Sequence, residues 1–89
     1  GGAVASAIGE RLARLAAGGQ LLAVTHSPQV AARGNRHYLI AKSSEGIVTR
    51  TSVCLLDAGG RQEEIARMLS GAEITDEARA QADRLLEGV

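Results

Sequence analysis

The stretch Leu21–Val30, with the sequence LLAVTHSPQV, contains the features that decide the fold of this chain. Its first half is an apolar run without polar alternation, a pattern typical of a strand covered on both faces in a parallel sheet. Pro28 then ends the extended run and starts a short helical turn that reaches Ala32. We therefore predict a parallel core strand over Gln20–Val24, with His26 just beyond its carboxyl end.

Polar side chains cluster immediately after this strand. In open α/β sheets ligands bind at the carboxyl ends of the strands, so His26 is placed where an imidazole could contact a phosphate or position an attacking water. Thr25 and Ser27 add hydroxyls, and Gln29 adds an amide. The alternative is that His26 only caps the strand end, because one histidine without a diagnostic partner specifies no reaction. His37 has no supporting pattern and is predicted to be a surface or edge-strand residue.

Before this stretch, the sequence predicts an amphipathic helix over Ala3–Ala17. Apolar residues recur at spacings of three and four and form one stripe, which consists of Val4, Ile8, Leu12 and Leu15. Gly18 follows the helix and is predicted to end it in the left-handed conformation.

After this stretch, two strands are predicted over His37–Lys42 and Ile47–Leu56. The connection Ser43–Gly46 is short enough for a hairpin, so the pair is expected to be antiparallel. Cys54 is the only cysteine and lies in the second apolar run. It is predicted to be a buried, unreactive thiol in a reducing compartment.

Two amphipathic helices complete the predicted fold. The first covers Arg61–Ser70, after a turn over Asp57–Gly60, and ends at Gly71. The second covers Thr75–Glu87. Their apolar stripes are Ile65, Met68 and Leu69 in the first and Ala78, Ala82, Leu85 and Leu86 in the second. The carboxylates Glu63, Glu64, Asp76 and Glu77 are predicted to lie on solvated helix faces.

Composition excludes several classes of function. The 89 residues suffice for one domain, and ten basic and ten acidic side chains cancel, so this segment is not expected to grip nucleic acid itself. His and Cys spacings match no metal site, and no serine lies in a Gly-x-Ser-x-Gly elbow. No Gly-x-x-x-x-Gly-Lys-Ser/Thr loop is present to cradle phosphates. No apolar run approaches the roughly 20 residues that span a bilayer, so no membrane partner is expected.

Several stretches together resemble the RecN family, bacterial relatives of the SMC and ABC-type ATPases. The most specific is Thr-His-Ser-Pro-Gln-Val-Ala at 25–31, followed by the strand pair. The others are Gly1–Ala5, Ile8–Leu12, His37-Tyr38, Lys42, Thr49–Ser52, and Arg61–Leu69 with Gly71. The resemblance implies that Gly1 and Gly2 finish the D-loop, which touches the opposite head in an ATP-bound dimer. It also implies that His26 is the switch histidine of the H-loop, near the terminal phosphate, with Thr25, Ser27 and Gln29 as neighbouring nucleotide-binding residues.

The resemblance further implies a fold and a setting for the chain. Residues 1–89 would be the C-terminal portion of one P-loop ATPase head of the ABC/SMC type, an α/β fold. A first residue of Gly and a single Met, at position 68, fit an excised piece. The Walker A and Walker B motifs would precede Gly1, so this segment alone is expected to be inactive and to bind no cofactor.

In the intact protein the resemblance implies ATP and Mg as cofactors. The implied partners are the remainder of the head, a second head in an ATP-dependent dimer, and DNA. A cytoplasmic, nucleoid-associated role in recombinational repair of double-strand breaks is expected. Two alternatives stay open: a packing or dimerisation module in which His26 is incidental, and another ABC-type head such as a transporter subunit. The length of the match after His26 disfavours the transporter.

Overall fold

The computed structural model describes residues 1–88, which form helices and one β-hairpin. The elements are α1 Gly2–Ala16, α2 Pro28–Ala31, β1 Tyr38–Glu45, β2 Val48–Leu55, α3 Ala58–Ser70 and α4 Asp76–Glu87. This confirms the α/β composition, with an antiparallel strand pair and flanking helices. The radius of gyration is 14.0 Å, larger than the about 12 Å expected for a compact chain of this length. The elements therefore do not form one tightly packed body.

The hydrophobic core lies between α2, α3 and α4. Ile65, Ala66 and Ala82 are fully buried, and Ala32 and Ala78 are nearly so. Around them pack the partly buried side chains of Ala31, Met68, Leu69, Ile74, Leu85 and Leu86. The predicted apolar stripes of both C-terminal helices are thereby confirmed. The core is small, since Ile65 is its only large, fully buried side chain among residues 1–88.

Side-chain caps set where α3 and α4 begin. The Asp57 carboxylate accepts a hydrogen bond from the backbone N–H of Gly60 at 2.7 Å, which satisfies an orphan donor of the first turn of α3. The predicted turn over Asp57–Gly60 was therefore wrong, because these residues are the cap and first turn of the helix. Thr75 caps α4 in the same way, accepting from Ala78 N–H at 3.1 Å. Gly71 ends α3 as predicted, with a φ of +82°.

The hairpin pairs Tyr38 with Leu55 at its base and Glu45 with Val48 at its tip. Its turn is only two residues long, Gly46 and Ile47, and Gly46 supplies the positive φ of +62° that such tight turns require. The predicted connection over Ser43–Gly46 was too long, because its first three residues continue β1.

Most hairpin side chains are exposed, because neither face is covered by another element among residues 1–88. The predicted burial of Cys54 was wrong for the same reason: its side chain lies in β2, where every residue is exposed.

The predicted parallel core strand over Gln20–Val24 is not formed. A strand needs a neighbouring backbone to complete its hydrogen bonds, and the two strands among the described residues bond only to each other. Leu22 and Val24 are consequently 85% and 82% exposed. The segment connects α1 to α2 without regular structure.

Helix α1 uses an unexpected face for packing. Its large apolar residues Val4, Ile8 and Leu15 are exposed, while Gly9 is its one buried residue. The helix ends at Ala16, and Ala17 keeps a right-handed conformation, so Gly18 does not provide the predicted left-handed cap. Among residues 1–88, no helix combines the length and apolar character needed to cross a membrane.

Candidate functional site

The segment Thr25–Gln29 is held by local hydrogen bonds that centre on Ser27. Its backbone N–H donates to Thr25 Oγ1 at 3.0 Å, and its Oγ accepts from Val30 N–H at 3.3 Å, which caps α2. The Ser27 hydroxyl also donates to Gln29 Oε1 at 3.1 Å. Pro28 occupies the first position of α2, where its fixed φ and missing N–H are favourable. The sequence Thr-His-Ser-Pro-Gln therefore builds a hydrogen-bonded turn from its own side chains.

This turn leaves His26 exposed immediately before the cap of α2. The predicted polar neighbours differ in what they can still offer to a ligand. Ser27 already uses its hydroxyl proton on Gln29, whereas the Thr25 hydroxyl only accepts a bond and keeps its proton. The amide nitrogen of Gln29 likewise keeps its donors. An anion next to this turn would therefore meet donors on His26, Thr25 and Gln29 rather than on Ser27.

The structure brings one of the two predicted D-loop glycines to this turn. A Cβ added to Gly2, at the start of α1, would lie 3.5 Å from Nε2 of Gln29. A Cβ added to Gly1 would meet no heavy atom within 4 Å. Gly2 and the Thr25–Gln29 turn are thus neighbours, and Gly1 lies apart from them.

Gly9 sets how closely α1 approaches α2. A Cβ at Gly9 would lie 3.0 Å from Cγ of Arg33 and 3.1 Å from the backbone oxygen of Gln29. A glycine is needed there because any larger residue would push the helices apart. No sequence pattern signals this role, since nothing in the helical periodicity distinguishes Gly9 from a weak helix former.

A small cleft opens where α1, α2 and the end of α4 meet. Its lining residues are Ser6, Glu10, Gln29, Arg33, Leu85 and Gly88. Arg33 forms an ion pair with Glu10 at 3.5 Å and also lies against Gly88, the left-handed cap of α4. A cation is stabilised there because helix C-termini carry partial negative charge.

Arg61 connects α3 to α2 and was not anticipated from the sequence. Its Nη2 donates to the backbone oxygens of Ala31 at 3.1 Å and Ala32 at 3.2 Å, and also to that of Gly34. Burial lowers the pKa of Arg61 from its ordinary value. Its partners are backbone oxygens that any sequence possesses, which explains why no motif could reveal the contact.

His37 and Glu64 are less exposed than predicted. His37 is half-buried just before β1, and its Nδ1 is enclosed without a hydrogen-bond partner among the described residues. Burial lowers the pKa of His37, and the nearby Arg61 charge lowers it further, whereas Glu64 opposes the shift.

Glu64 was predicted to lie on a solvated face but is only 9% exposed, because α3 turns that side toward the core. Arg67, one turn later, binds its carboxylate through Nε, at 2.9 Å from Oε2, and through Nη2. Glu63 is half-buried and pairs with Arg79 at 3.1 Å, whereas Asp76 and Glu77 are exposed as predicted.

The described part of the chain contains no group of three or more His, Cys, Asp or Glu side chains placed to hold a metal ion. The carboxylates near one another are instead paired with arginines, as for Glu64 with Arg67 and Asp76 with Arg79. What the arrangement offers chemically is a set of hydrogen-bond donors at an exposed turn.

No protein-family model matches the sequence. Curated proteins do match it over nearly its whole length. The chain is 49% identical over 87 residues to DNA repair protein RecN of Xylella fastidiosa, which covers 98% of this chain and 16% of that protein. It is 49% identical over 87 residues to RecN of Streptomyces coelicolor, with 98% and 15% covered. For RecN of Deinococcus radiodurans the identity is 48% over 88 residues, with 99% and 15% covered. The chain therefore spans only 15–16% of the length of these relatives.

Proposed function

We propose that this chain, a homologue of a segment of DNA repair protein RecN, is the C-terminal portion of an ATPase head that acts in DNA repair. The proposal assigns His26 to the terminal phosphate of ATP as the switch histidine of that head. It also makes the rest of the head, a second head and DNA the partners of the intact protein, in the cytoplasm at the nucleoid.

The observation that carries the assignment is the exposed position of His26 on a turn built by its neighbours. Ser27 donates its backbone N–H to Thr25 Oγ1, caps α2 and bonds to Gln29, so the residues on both sides of the histidine are tied together. Gly2 lies beside Gln29, so the start of α1 and the histidine turn belong to the same surface. An imidazole presented on such a turn is suited to stabilise charge that builds up on a transferring phosphate.

The residues of this chain fit a role in sensing phosphate rather than in holding a nucleotide. Residues 1–88 contain no cluster of metal ligands, and the sequence has no phosphate-cradling loop. ATP and Mg would therefore be held by the remainder of the head, where ATP would supply the phosphoryl group and Mg the divalent charge. In this arrangement His26 donates a hydrogen bond to phosphate oxygen, and Thr25 and Gln29 add donors beside it.

For residues 20–24 we propose that the apolar run becomes a parallel core strand when the rest of the head provides a neighbouring strand. The exposure of Leu22 and Val24 supports this, because covering such apolar side chains lowers the free energy of the protein in water. His26 would then project from the carboxyl edge of the completed sheet, where ligands bind.

The test is His26→Ala in the full-length polypeptide. We expect ATP turnover to fall by about a hundredfold, as for loss of one preorganised donor to a transition state, with little change in unfolding temperature. Lys42→Ala, on the exposed hairpin, is the matched control and should retain turnover. Unchanged turnover in His26→Ala would remove this residue from the mechanism.

A binding experiment tests the assignment of the nucleotide cradle to the remainder of the head. Titration of the 89-residue chain with ATP should show no specific binding. Saturable binding at micromolar ATP would mean that the chain carries a phosphate site of its own.

A second candidate function is a packing or dimerisation module in which His26 has no chemical role. It is favoured by the large apolar side chains that lie exposed, including Val4, Ile47 and Val53. A partner surface that covered these side chains would remove apolar area from water, which favours association. The two functions differ in one result, since only the ATPase head loses turnover in His26→Ala.

A further inference from the structure

Arg61 makes contacts that a surface arginine does not make. One nitrogen, Nη2, is shared among the backbone oxygens of Ala31, Ala32 and Gly34. These oxygens lie where α2 ends, and the C-terminal carbonyls of a helix have no partners within the helix. Arg61 therefore completes the hydrogen bonding of the C-terminal end of α2 from a different helix.

The location of Arg61 is unfavourable in other respects. It lies in the first turns of α3, where the helix dipole disfavours a positive charge. Its Nε is enclosed without a hydrogen-bond partner among the described residues. A guanidinium in such a place must be held by strong contacts, and the three carbonyl oxygens are the ones that the structure provides.

The contacts of Arg61 reach His26 through one short rigid element. Helix α2 has four residues, a length of about 6 Å at the usual rise per residue. Its C-terminal end is fixed by Arg61 and by Ala32, which is buried against α3. Its N-terminal end is capped by Ser27, and His26 is the next residue. A shift at one end of α2 is therefore transmitted to the other end.

We propose that Arg61 is a positioning residue for His26 and fixes the orientation of α2 from α3. This inference rests on the proposed function, since it gives Arg61 an effect on turnover only if His26 acts on phosphate. Arg61 itself does not contact the nucleotide.

The first experiment compares Arg61→Ala, Arg61→Lys and Arg84→Ala in the full-length polypeptide. Arg61→Ala should lower kcat by on the order of tenfold and leave KM for ATP within about twofold, because misplacing a group costs rate rather than binding. Arg61→Lys keeps a charge and donors but not the planar fork, so its kcat should lie between those of the wild type and Arg61→Ala. Arg84, on the exposed side of α4, is the matched control and should keep wild-type kcat.

The second experiment combines Arg61→Lys with His26→Ala. If Arg61 acts through His26, the double variant should turn over ATP at the rate of His26→Ala alone, since residues that act as a unit are not additive. Independent, multiplicative losses would overturn the proposal. So would a wild-type kcat in Arg61→Ala while His26→Ala is impaired, a result that leaves the proposed function intact.

A third measurement detects the positioning itself, by NMR of the selectively labelled full-length polypeptide. The amide resonances of Ser27 and Val30 should shift in Arg61→Lys and stay in place in Arg84→Ala. If these amide resonances do not change in Arg61→Lys, the idea that a shift at one end of α2 reaches the other end is contradicted. If His26→Ala leaves turnover unchanged, the proposed function falls and the effect of Arg61 on turnover falls with it, whatever the resonances show.

Discussion

Two isoleucines show how differently the helix pair α3 and α4 and the β-hairpin are packed. Ile65 in α3 is 0% exposed, whereas Ile47 at the hairpin turn is 103% exposed. The sequence predicts the helix that contains Ile65 and the hairpin that contains Ile47, although Ile47 was predicted to begin the second strand and lies instead in the turn. Helices α3 and α4 cover each other, and the hairpin is covered by nothing among residues 1–88. Local secondary structure therefore leaves the burial of a side chain undecided, because burial depends on which surface lies opposite it.

Helix α1 contains the same contrast within one element. Its stripe of large apolar residues, including Val4 and Ile8, is exposed, and the helix packs instead through Gly9. Close approach of two backbones selects a small residue, whereas a large apolar stripe requires a surface to cover it. The direction in which a helix packs is therefore set by the shape of its neighbour as well as by its own hydrophobicity.

The largest expected effect comes from Ile65→Ala. Its side chain is the one large, fully buried group of the described core, so its truncation should lower the free energy of unfolding by about 2–5 kcal/mol. Ile47→Ala is the matched control, the same change at an exposed site, and should change it by less than about 0.5 kcal/mol. Urea denaturation of both variants measures the difference. Equal losses of unfolding free energy in the two variants would mean that Ile65 and Ile47 are buried to the same extent.

A smaller effect is expected from Gly9→Val at the contact of α1 with α2. The added atoms meet the backbone oxygen of Gln29, which cannot move away as a flexible side chain would, so the loss should be about 1–3 kcal/mol. Ala7→Val, on the exposed side of the same helix, is the control. Thermal unfolding checks the prediction, and a stable Gly9→Val protein would show that α1 is not held against α2.

The smallest effect is a pH dependence of stability from His37. Burial first, and the charge of Arg61 second, hold the pKa of His37 below its ordinary value of 6.5, with Glu64 opposing. The unfolded chain therefore takes up a proton before the folded chain does. Stability should be complete above about pH 6.5 and fall as the pH is lowered from there toward the folded pKa. Urea unfolding between pH 5 and 8 should show this slope, and His37→Gln should lose most of it.

Local signals were enough for the helices and the hairpin. Periodic apolar residues with end signals, such as Gly71 after α3, predicted elements that the structure confirms. Three local boundaries were wrong: the turn at Asp57–Gly60, the connection Ser43–Gly46 and the left-handed cap at Gly18. The remaining errors concern contacts between segments. The predicted strand over Gln20–Val24 lacks a partner, Cys54 is exposed, and Glu64 is buried beside Arg67.

The candidate site also has one part that the sequence could predict and one part that it could not. The turn at Thr25–Gln29 could be found from its sequence, since its hydroxyl, proline and amide groups act on the nearest backbone. The contacts of Arg61 and Gly9 with this region could not be predicted from the sequence, because both residues contact backbone atoms of a segment far away in the chain. Backbone atoms are the same at every residue and leave no trace in a sequence pattern.

Hydrogen bonds and periodicity within a few residues specify the helices, the strand pair and the turn that presents His26, so these elements can be predicted from the amino-acid sequence. The contact of Arg61 with the end of α2, the burial of the helix pair α3 and α4 and the exposure of the hairpin appear only once the segments have packed together. The physical reason is range: caps and turns act between neighbours in the chain, whereas burial is a property of surfaces that meet in space.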